Sequence, residues 1–216
     1  MDSKVAEQII GVLEGEYPDA KCGLNFSTPF ELLTATVLSA QCTDKRVNEV
    51  TRELFKVASA PSDFAGMDYA ELEKRIFSCG FYRNKARSII DASRVLLAEY
   101  GGRVPDDFDA LLKLPGVGRK TANVVMANAF NGNNIAVDTH VFRTARRLGL
   151  AGAATPEKVE YELCAVIPEG KRALAHHLLI RHGRVRCKSR RPLCGGCPLA
   201  GYCLYTKEIS EKETPL

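Results

Sequence analysis

The segment Leu114–Ala122, with the sequence LPGVGRKTA, restricts the possible folds of this chain more than any other stretch. A run with helical spacing at 107–113 leads into it, and a second helical run leaves it at 119–130. Its glycines allow a backbone turn with positive φ and the close approach of another backbone. A tight hairpin that ends at a helix start leaves N–H groups at the positive end of the helix dipole, where anions bind. The segment therefore predicts a helix–hairpin–helix with an anion site beside Lys120.

Neither common nucleotide-binding loop fits this segment, which leaves a plain linker between helices or a nucleic-acid contact. A P-loop has four residues between its glycines, whereas a single residue separates Gly116 from Gly118. A dinucleotide-binding loop needs a third glycine where Thr121 stands, and a strand before it, but the preceding run has helical spacing. A hairpin that holds a nucleic-acid phosphate by main-chain N–H groups does fit, and such a contact positions without reading bases. The residues assigned to this contact are Leu114, Gly116, Val117 and Gly118.

Helical periodicity extends along the rest of the chain, and no stretch shows the strict alternation of a half-buried strand. Helix starts are indicated by capping residues at Thr28, Asp68, Asn84, Asp138 and Thr155. These signals predict an all-α chain with about ten helices joined by short loops. We expect two helical domains that meet at a turn-rich break at 131–134: a six-helix block at 20–132 that contains the hairpin, and a second domain formed by 1–19 together with 133–216.

Composition excludes several classes of protein. Apolar residues make up 45% of the chain and charged residues 26%, which is an ordinary globular balance rather than that of a disordered chain. No apolar run is long enough to span a membrane, and the N-terminus lacks the apolar core of a signal peptide. We therefore expect a cytoplasmic, nucleoid-associated protein without membrane contact, and nothing in the sequence demands more than a monomer.

Lys120 and Asp138 are candidate catalytic residues because each begins a predicted helix on either side of a short connection. A lysine is a nucleophile only when neutral, and desolvation or a nearby positive dipole end lowers its pKa. A neutral amine can attack a sugar C1′, expel the base and leave a Schiff base, while a nearby carboxylate stabilises the oxocarbenium-like charge. A base within a duplex must first be turned out of the stack. The alternatives are a phosphate contact for Lys120 and a helix N-cap for Asp138.

Four of the eight cysteines lie within seventeen residues near the C-terminus, with the spacing C-x6-C-x2-C-x5-C. Four thiolates suit either a tetrahedral zinc ion or a [4Fe–4S] cluster, and the spacing alone leaves both open. The proposed metal ligands are Cys187, Cys194, Cys197 and Cys203. Lys188, Arg190 and Arg191 fall between the first two cysteines, so a metal would hold this basic loop rigid and present its charges to phosphates. A solvated basic tail is the alternative.

At three motifs the chain resembles the endonuclease III family, which comprises DNA glycosylases with AP-lyase activity in the helix–hairpin–helix superfamily. The motifs are Leu114–Ala122, the sequence VDTH at 137–140, and the four terminal cysteines, whose spacing is that of the family. The resemblance implies a [4Fe–4S] cluster, a DNA-binding cleft between two helical domains, and double-stranded DNA with damaged bases or abasic sites as the partner. It implies removal of oxidised pyrimidines such as thymine glycol, followed by β-elimination 3′ to the abasic site. Lys120 would be the Schiff-base nucleophile and Asp138 its carboxylate partner.

The resemblance also implies two residues that are pushed into the duplex. The segment 38–44 matches one in which a glutamine fills the gap left by the flipped base, and Gln41 occupies that position. The segment Gly80-Phe81-Tyr82 matches a second wedge that is usually Gly-Leu-Tyr. Phe81 is larger and can stack, so the range of lesions and of opposite bases can differ; apolar wedges of this kind unstack DNA steps. The alternatives are a polar loop residue for Gln41 and a buried core aromatic for Phe81.

Two other functions compete with this interpretation. A mismatch-specific glycosylase of the same superfamily shares the hairpin, the aspartate and the cluster. Its adenine-specific form lacks the hairpin lysine and carries a catalytic glutamate in the early helix segment, whereas residues 37–41 contain no carboxylate. The same lysine disfavours a thymine-mismatch glycosylase. A non-catalytic, metal-stabilised DNA-binding module would keep the hairpin and the basic tail without needing to pair Lys120 with Asp138.

Overall fold

The computed structural model of the chain describes residues 2–213 and the side-chain surroundings of residues 2–209. Its helices are α1 Ser3–Glu16, α2 Pro29–Ser39, α3 Asp44–Leu54, α4 Pro61–Ala65, α5 Tyr69–Ile76, α6 Tyr82–Tyr100, α7 Phe108–Leu112, α8 Arg119–Ala129, α9 Thr139–Leu148, α10 Pro156–Val166, α11 Arg172–Val185 and α12 Leu204–Glu213, with short 3₁₀ turns at Phe77–Cys79 and Glu169–Lys171. No strand occurs in this described range, which confirms the predicted all-α class. None of the described helices is both long and apolar enough to cross a bilayer.

Polar side chains set most of the predicted helix starts. Thr28 Oγ1 accepts from Glu31 N at 3.1 Å, and Glu31 Oε2 in return accepts from Ser27 N at 2.6 Å. Asp68 Oδ1 accepts from Ala70 N at 2.8 Å, and Thr155 Oγ1 accepts from Lys158 N at 3.4 Å. Each such cap satisfies an otherwise unpaired N–H group and stabilises its helix by about 1 kcal/mol.

Three helix predictions differ from the structure. Asn84 was expected to cap a helix at 85–100, but α6 begins at Tyr82 and Phe81 occupies its N-cap position with φ 47°. The prediction failed because a phenylalanine in the left-handed region gives no sequence signal for a helix start. Sequence analysis also missed α4 and α12, since α4 has only five residues and α12 is too polar to show a periodic apolar face.

The described residues divide into two compact units. The central unit comprises Cys22–Gly132, and the discontinuous unit comprises the described residues up to Lys21 together with those from Asn133 onward. In the central unit, every residue from Phe30 to Leu38 of α2 is buried, and α2 packs against α3, α6 and α8. An amphipathic helix would leave one face in water, so burial on all sides explains why this segment is apolar on most of its sides.

The discontinuous unit has its own apolar core, formed mainly by α1, α9, α10 and α11. The helices α9 and α11 approach closely at Gly183, where an added Cβ would lie 2.9 Å from Thr144 Oγ1 and 3.2 Å from His140 Cβ. Tyr17 Oη and His182 Nδ1, which lie 3.0 Å apart, join α1 to α11 within this core. Gly183 therefore fixes how α11 packs against the start of α9.

Candidate functional site

The hairpin between α7 and α8 is held by a close backbone approach. Asp107 Oδ1 accepts from Ala110 N at 2.7 Å to start α7, and Val117 N donates to Leu114 O at 3.1 Å across the turn. Gly116 has φ 74°, and a Cβ added there would lie 2.3 Å from the Ser88 Cβ on α6. Both the positive φ and the lack of space require glycine at this position.

Gly118 has a different role from Gly116. Gly118 forms the N-cap of α8, and its φ of −95° is one that any residue can adopt. A Cβ added at Gly118 would meet no atom within 4 Å, so open space adjoins the first N–H groups of α8. The side chains of Leu114 and Val117 are buried, so these two residues can contact DNA only through their main chain. This geometry leaves room for a phosphate at the helix start, as expected for the predicted anion site.

Replacing Gly116 by alanine should destabilise the central unit by about 1–3 kcal/mol, because the new methyl group collides with Ser88 and φ is unfavourable. Gly118→Ala is the matched control, since it places the same methyl group in open space on the same hairpin. Urea unfolding of both variants measures the difference. Equal free energies of unfolding for the two variants would contradict the role assigned to Gly116.

Lys120 lies in the first turn of α8, and its side chain is exposed. The residues that follow it, Ala122–Val125, are buried in the central unit and fix the helix from which the lysine projects. The exposed lysine side chain is therefore accessible to a ligand that binds at the start of α8.

Asp138, in the discontinuous unit, is the N-cap of α9, which confirms the structural role considered for it. Its Oδ1 atom accepts from His140 N and from Val141 N, both at 2.8 Å. The preceding residue Val137 is buried, and His176 Nδ1 lies 2.7 Å from Ala136 O. The first turn of α9 thus holds the half-buried Asp138 from one side, and the packed residues 136 and 137 hold its backbone from the other. Both hydrogen bonds to the carboxylate use Oδ1 rather than Oδ2.

Arg143 joins the start of α9 to the first cysteine. Its Nε donates to Cys187 O at 3.0 Å, and its Nη2 donates to Gly183 O at 2.9 Å and lies 3.2 Å from His140 Nδ1. Burial lowers the pKa of His140, with the Arg143 charge adding to this effect and Asp138 opposing it. Sequence analysis missed this arginine. The spacing of Arg143 and Arg147, four residues apart on one helix face after Asp138, was the available signal.

The two predicted wedge residues share an unusual backbone conformation. Gln41 has φ 51° and Phe81 has φ 47°, both in the left-handed region that non-glycine residues rarely adopt. Such a conformation costs on the order of 1–3 kcal/mol and persists only where the surroundings enforce it. Both side chains are exposed, Phe81 to 65%, so the alternative of a buried core aromatic is wrong.

The four terminal cysteines influence one another electrostatically. Burial raises the pKa of Cys194 and of Cys197, and the neighbouring Cys203 and Cys187 thiols raise each further. Four thiolates at this site need a compensating positive charge, which bound iron or zinc supplies. In the described part of the chain, no group of three or more His, Cys, Asp or Glu side chains is arranged to hold a single metal ion.

Arg147 organises the loop between the first two cysteines. Its Nη1 donates to Cys187 Sγ at 3.5 Å and to Lys188 O at 2.7 Å, and its Nη2 donates to Ser189 O at 3.2 Å. Lys188, Arg190 and Arg191 are exposed, and Arg191 has φ 51°. The predicted basic loop is therefore held from α9 with its three cations in solvent.

Comparison with known proteins gives matches along most of the chain. Residues 34–169 match the model of the HhH-GPD superfamily base excision DNA repair proteins, and residues 187–203 match the iron–sulfur binding domain of endonuclease III. The chain is 47% identical to the endonuclease III of Synechocystis sp. over 92% of this chain and 91% of that protein. It is also 47% identical to that of Bacillus subtilis, over 91% and 90%. A trapped covalent intermediate between endonuclease III and DNA superposes with a TM-score of 0.91 at 44% identity, covering 97% of this chain and 99% of that one.

Proposed function

The chain belongs to the HhH-GPD superfamily of base excision DNA repair proteins and within it to the endonuclease III family, and from this membership we propose its substrates and mechanism. The protein is a DNA glycosylase and AP lyase that carries a [4Fe–4S] cluster. We propose that it removes oxidised pyrimidines such as thymine glycol from double-stranded DNA and cleaves the strand 3′ to the abasic site. The observation that carries this proposal is Lys120, an exposed amine in the first turn of the helix that leaves the hairpin.

Lys120 supplies the nucleophile of both steps. Its neutral amine forms a bond to C1′ of the flipped nucleotide while the bond from C1′ to the base breaks. The C1′–O4′ bond then opens to give a Schiff base, and the two amine protons pass to the departing base and to O4′. Loss of a proton from C2′ then expels the 3′ phosphate oxygen, so the C3′–O bond breaks and the strand is cut. Because the lysine is exposed in the free protein, DNA that covers it on binding desolvates the ammonium and favours the neutral amine.

Asp138 supplies a carboxylate that stabilises the positive charge developing on the sugar as the base departs. Two hydrogen bonds from the first turn of α9 hold Oδ1 in place, so the carboxylate is oriented before substrate binds. Preorganised charge costs no rearrangement at the moment of reaction. The N-cap geometry of Asp138 therefore serves the proposed reaction as well as the helix.

The remaining predicted residues bind and orient the DNA. The N–H groups at the start of α8 donate hydrogen bonds to a phosphate in the open space beside Gly118. Lys188, Arg190 and Arg191 attract further phosphates, and Gln41 and Phe81 enter the duplex to stabilise the flipped state. Cys187, Cys194, Cys197 and Cys203 would hold the cluster, and their bonds to it would cross-link the loop that carries these cations.

A nicking assay on four duplexes tests the substrate class. We expect strand cleavage of a duplex with one thymine glycol, at least about tenfold faster than of matched duplexes with a G·T or A·G mismatch or with no lesion. Removal of a mismatched base with the thymine glycol strand left intact would instead indicate a mismatch glycosylase. Binding to all the duplexes with no product would indicate a non-catalytic module.

A further inference from the structure

A buried lysine in the central unit has no part in the reaction described above. Lys85 lies on α6 and is only 5% exposed. Its Nζ atom donates to Leu38 O at 2.8 Å and to Cys79 O at 2.5 Å. A lysine is almost never this buried unless its charge has partners, so both carbonyl contacts offset the cost of burying it.

The two carbonyls belong to the two segments that present the wedge residues. Leu38 is at the end of α2, three residues before Gln41, and Cys79 ends the 3₁₀ turn, two residues before Phe81. The backbone N–H of Lys85 also donates to Phe81 O at 3.1 Å. Lys85 therefore bonds to Phe81 itself, to Cys79 two residues before it, and to the helix end that leads to Gln41.

A second contact joins the same two segments. The Cys42 and Cys79 thiols interact electrostatically: burial raises the pKa of Cys79 to about 11, and the neighbouring Cys42 thiol adds to the effect. The neighbouring thiols partly offset the lowering of the Lys85 pKa by burial. Cys42 directly follows Gln41, so residues next to both wedges lie around Lys85. Contacts of this kind can enforce the left-handed conformation of Gln41 and Phe81 against its cost.

We propose that Lys85 is a positioning residue that ties the Gln41 and Phe81 segments together, so that both wedges enter the duplex as one rigid unit. The inference rests on the proposed function, in which these two residues stabilise a flipped nucleotide. Two wedges on separate mobile loops would have to be ordered during binding, and that ordering would cost part of the binding free energy. If the wedges are already ordered before binding, that part of the binding free energy remains available to unstack the DNA.

The test compares Lys85→Met with wild type on two lesion substrates under single-turnover conditions. In one duplex thymine glycol faces adenine, and in the other it faces a one-nucleotide gap, where less stacking must be broken. We expect Lys85→Met to slow base removal about 10- to 100-fold on the paired duplex and less than about threefold opposite the gap. The fluorescence of a 2-aminopurine next to the lesion should show the same loss of unstacking on the paired duplex.

Ser93→Ala is the matched structural control. It removes another buried hydrogen bond of α6, from Ser93 Oγ to Ile89 O at 2.7 Å, that touches neither wedge segment. If Lys85 has a merely structural role, Lys85→Met should slow excision from both substrates equally, as in this control, and that result would overturn the proposal. Wild-type rates of Lys85→Met on both substrates would overturn it as well. Lys85→Met in a Gln41→Ala, Phe81→Ala background should add almost nothing, and full additivity would also overturn it.

Lys85→Gln serves if the methionine variant does not fold. Its shorter side chain keeps N–H donors for one carbonyl. We expect the same selective loss of excision rate on the paired duplex. Equal losses of rate on both substrates would overturn the proposal. Failure of the proposed function is a separate outcome, since wild type would then leave thymine glycol in place on both substrates. Wild-type excision with an unselective Lys85 variant would overturn only the role of Lys85.

Discussion

Lys120→Ala should abolish strand cleavage at an abasic site, with a loss of about 10³-fold or more, because in the proposed mechanism Lys120 supplies the amine that forms the Schiff base. Borohydride should trap a covalent complex with wild type and none with the variant. Binding to the same duplex should change by only a few-fold, since the hairpin N–H groups and the basic loop remain. A gel of trapped complexes and a binding titration measure the two effects separately.

Lys120→Arg distinguishes the nucleophile from a phosphate contact. An arginine keeps the positive charge and can still bind phosphate, but its guanidinium stays protonated and cannot attack C1′. We expect Lys120→Arg to bind like wild type and to cleave as poorly as the alanine variant. Lys113→Ala is a matched control, because Lys113 is an exposed lysine at the end of α7, just before the hairpin. Trapping of the arginine variant at the wild-type level would contradict the assignment.

Asp138→Asn should slow base removal by about 10²–10⁴-fold without destabilising the protein. Asparagine caps a helix about as well as aspartate, so the two hydrogen bonds to the first turn of α9 are kept while the negative charge is lost. Single-turnover excision of thymine glycol and thermal unfolding measure the two properties. The expected result is a large fall in rate with a melting temperature within a few degrees of wild type.

Asp68→Asn gives the matched control for this substitution. Asp68 caps α5 in the same way, with Oδ1 accepting from Ala70 N and Glu71 N, and it has no role in the proposed reaction. Its asparagine variant should keep the wild-type rate. If Asp138→Asn also keeps that rate, Asp138 is an N-cap alone and the carboxylate role is wrong.

Local patterns in the sequence predicted most of the helices. Caps such as Thr28 and Asp138 act within three residues, and apolar faces repeat within one or two turns, so both leave a signal in the order of the residues. The predictions failed where a helix was too short or too polar to repeat, as in α4 and α12, or where Phe81 began α6 in a left-handed conformation.

The same distinction between local patterns and long-range contacts applies to the candidate site. The sequence by itself determined which chemical groups the proposed site offers: the amine of Lys120, the carboxylate of Asp138, the hairpin glycines and the four cysteines proposed as ligands. Residue type and spacing are enough for that, because reactivity and ligand preference belong to the side chains.

Only the tertiary structure decided what holds these groups in place. The need for glycine at 116 depends on Ser88, the order of the cysteine loop depends on Arg147, and the wedge segments depend on Lys85, whose Leu38 partner is 47 residues away. These contacts form only when distant parts of the chain pack together, and a long-range contact leaves no periodic pattern along the sequence. A buried lysine in particular looks in the sequence like any solvated one, because its burial is set by the elements that surround it.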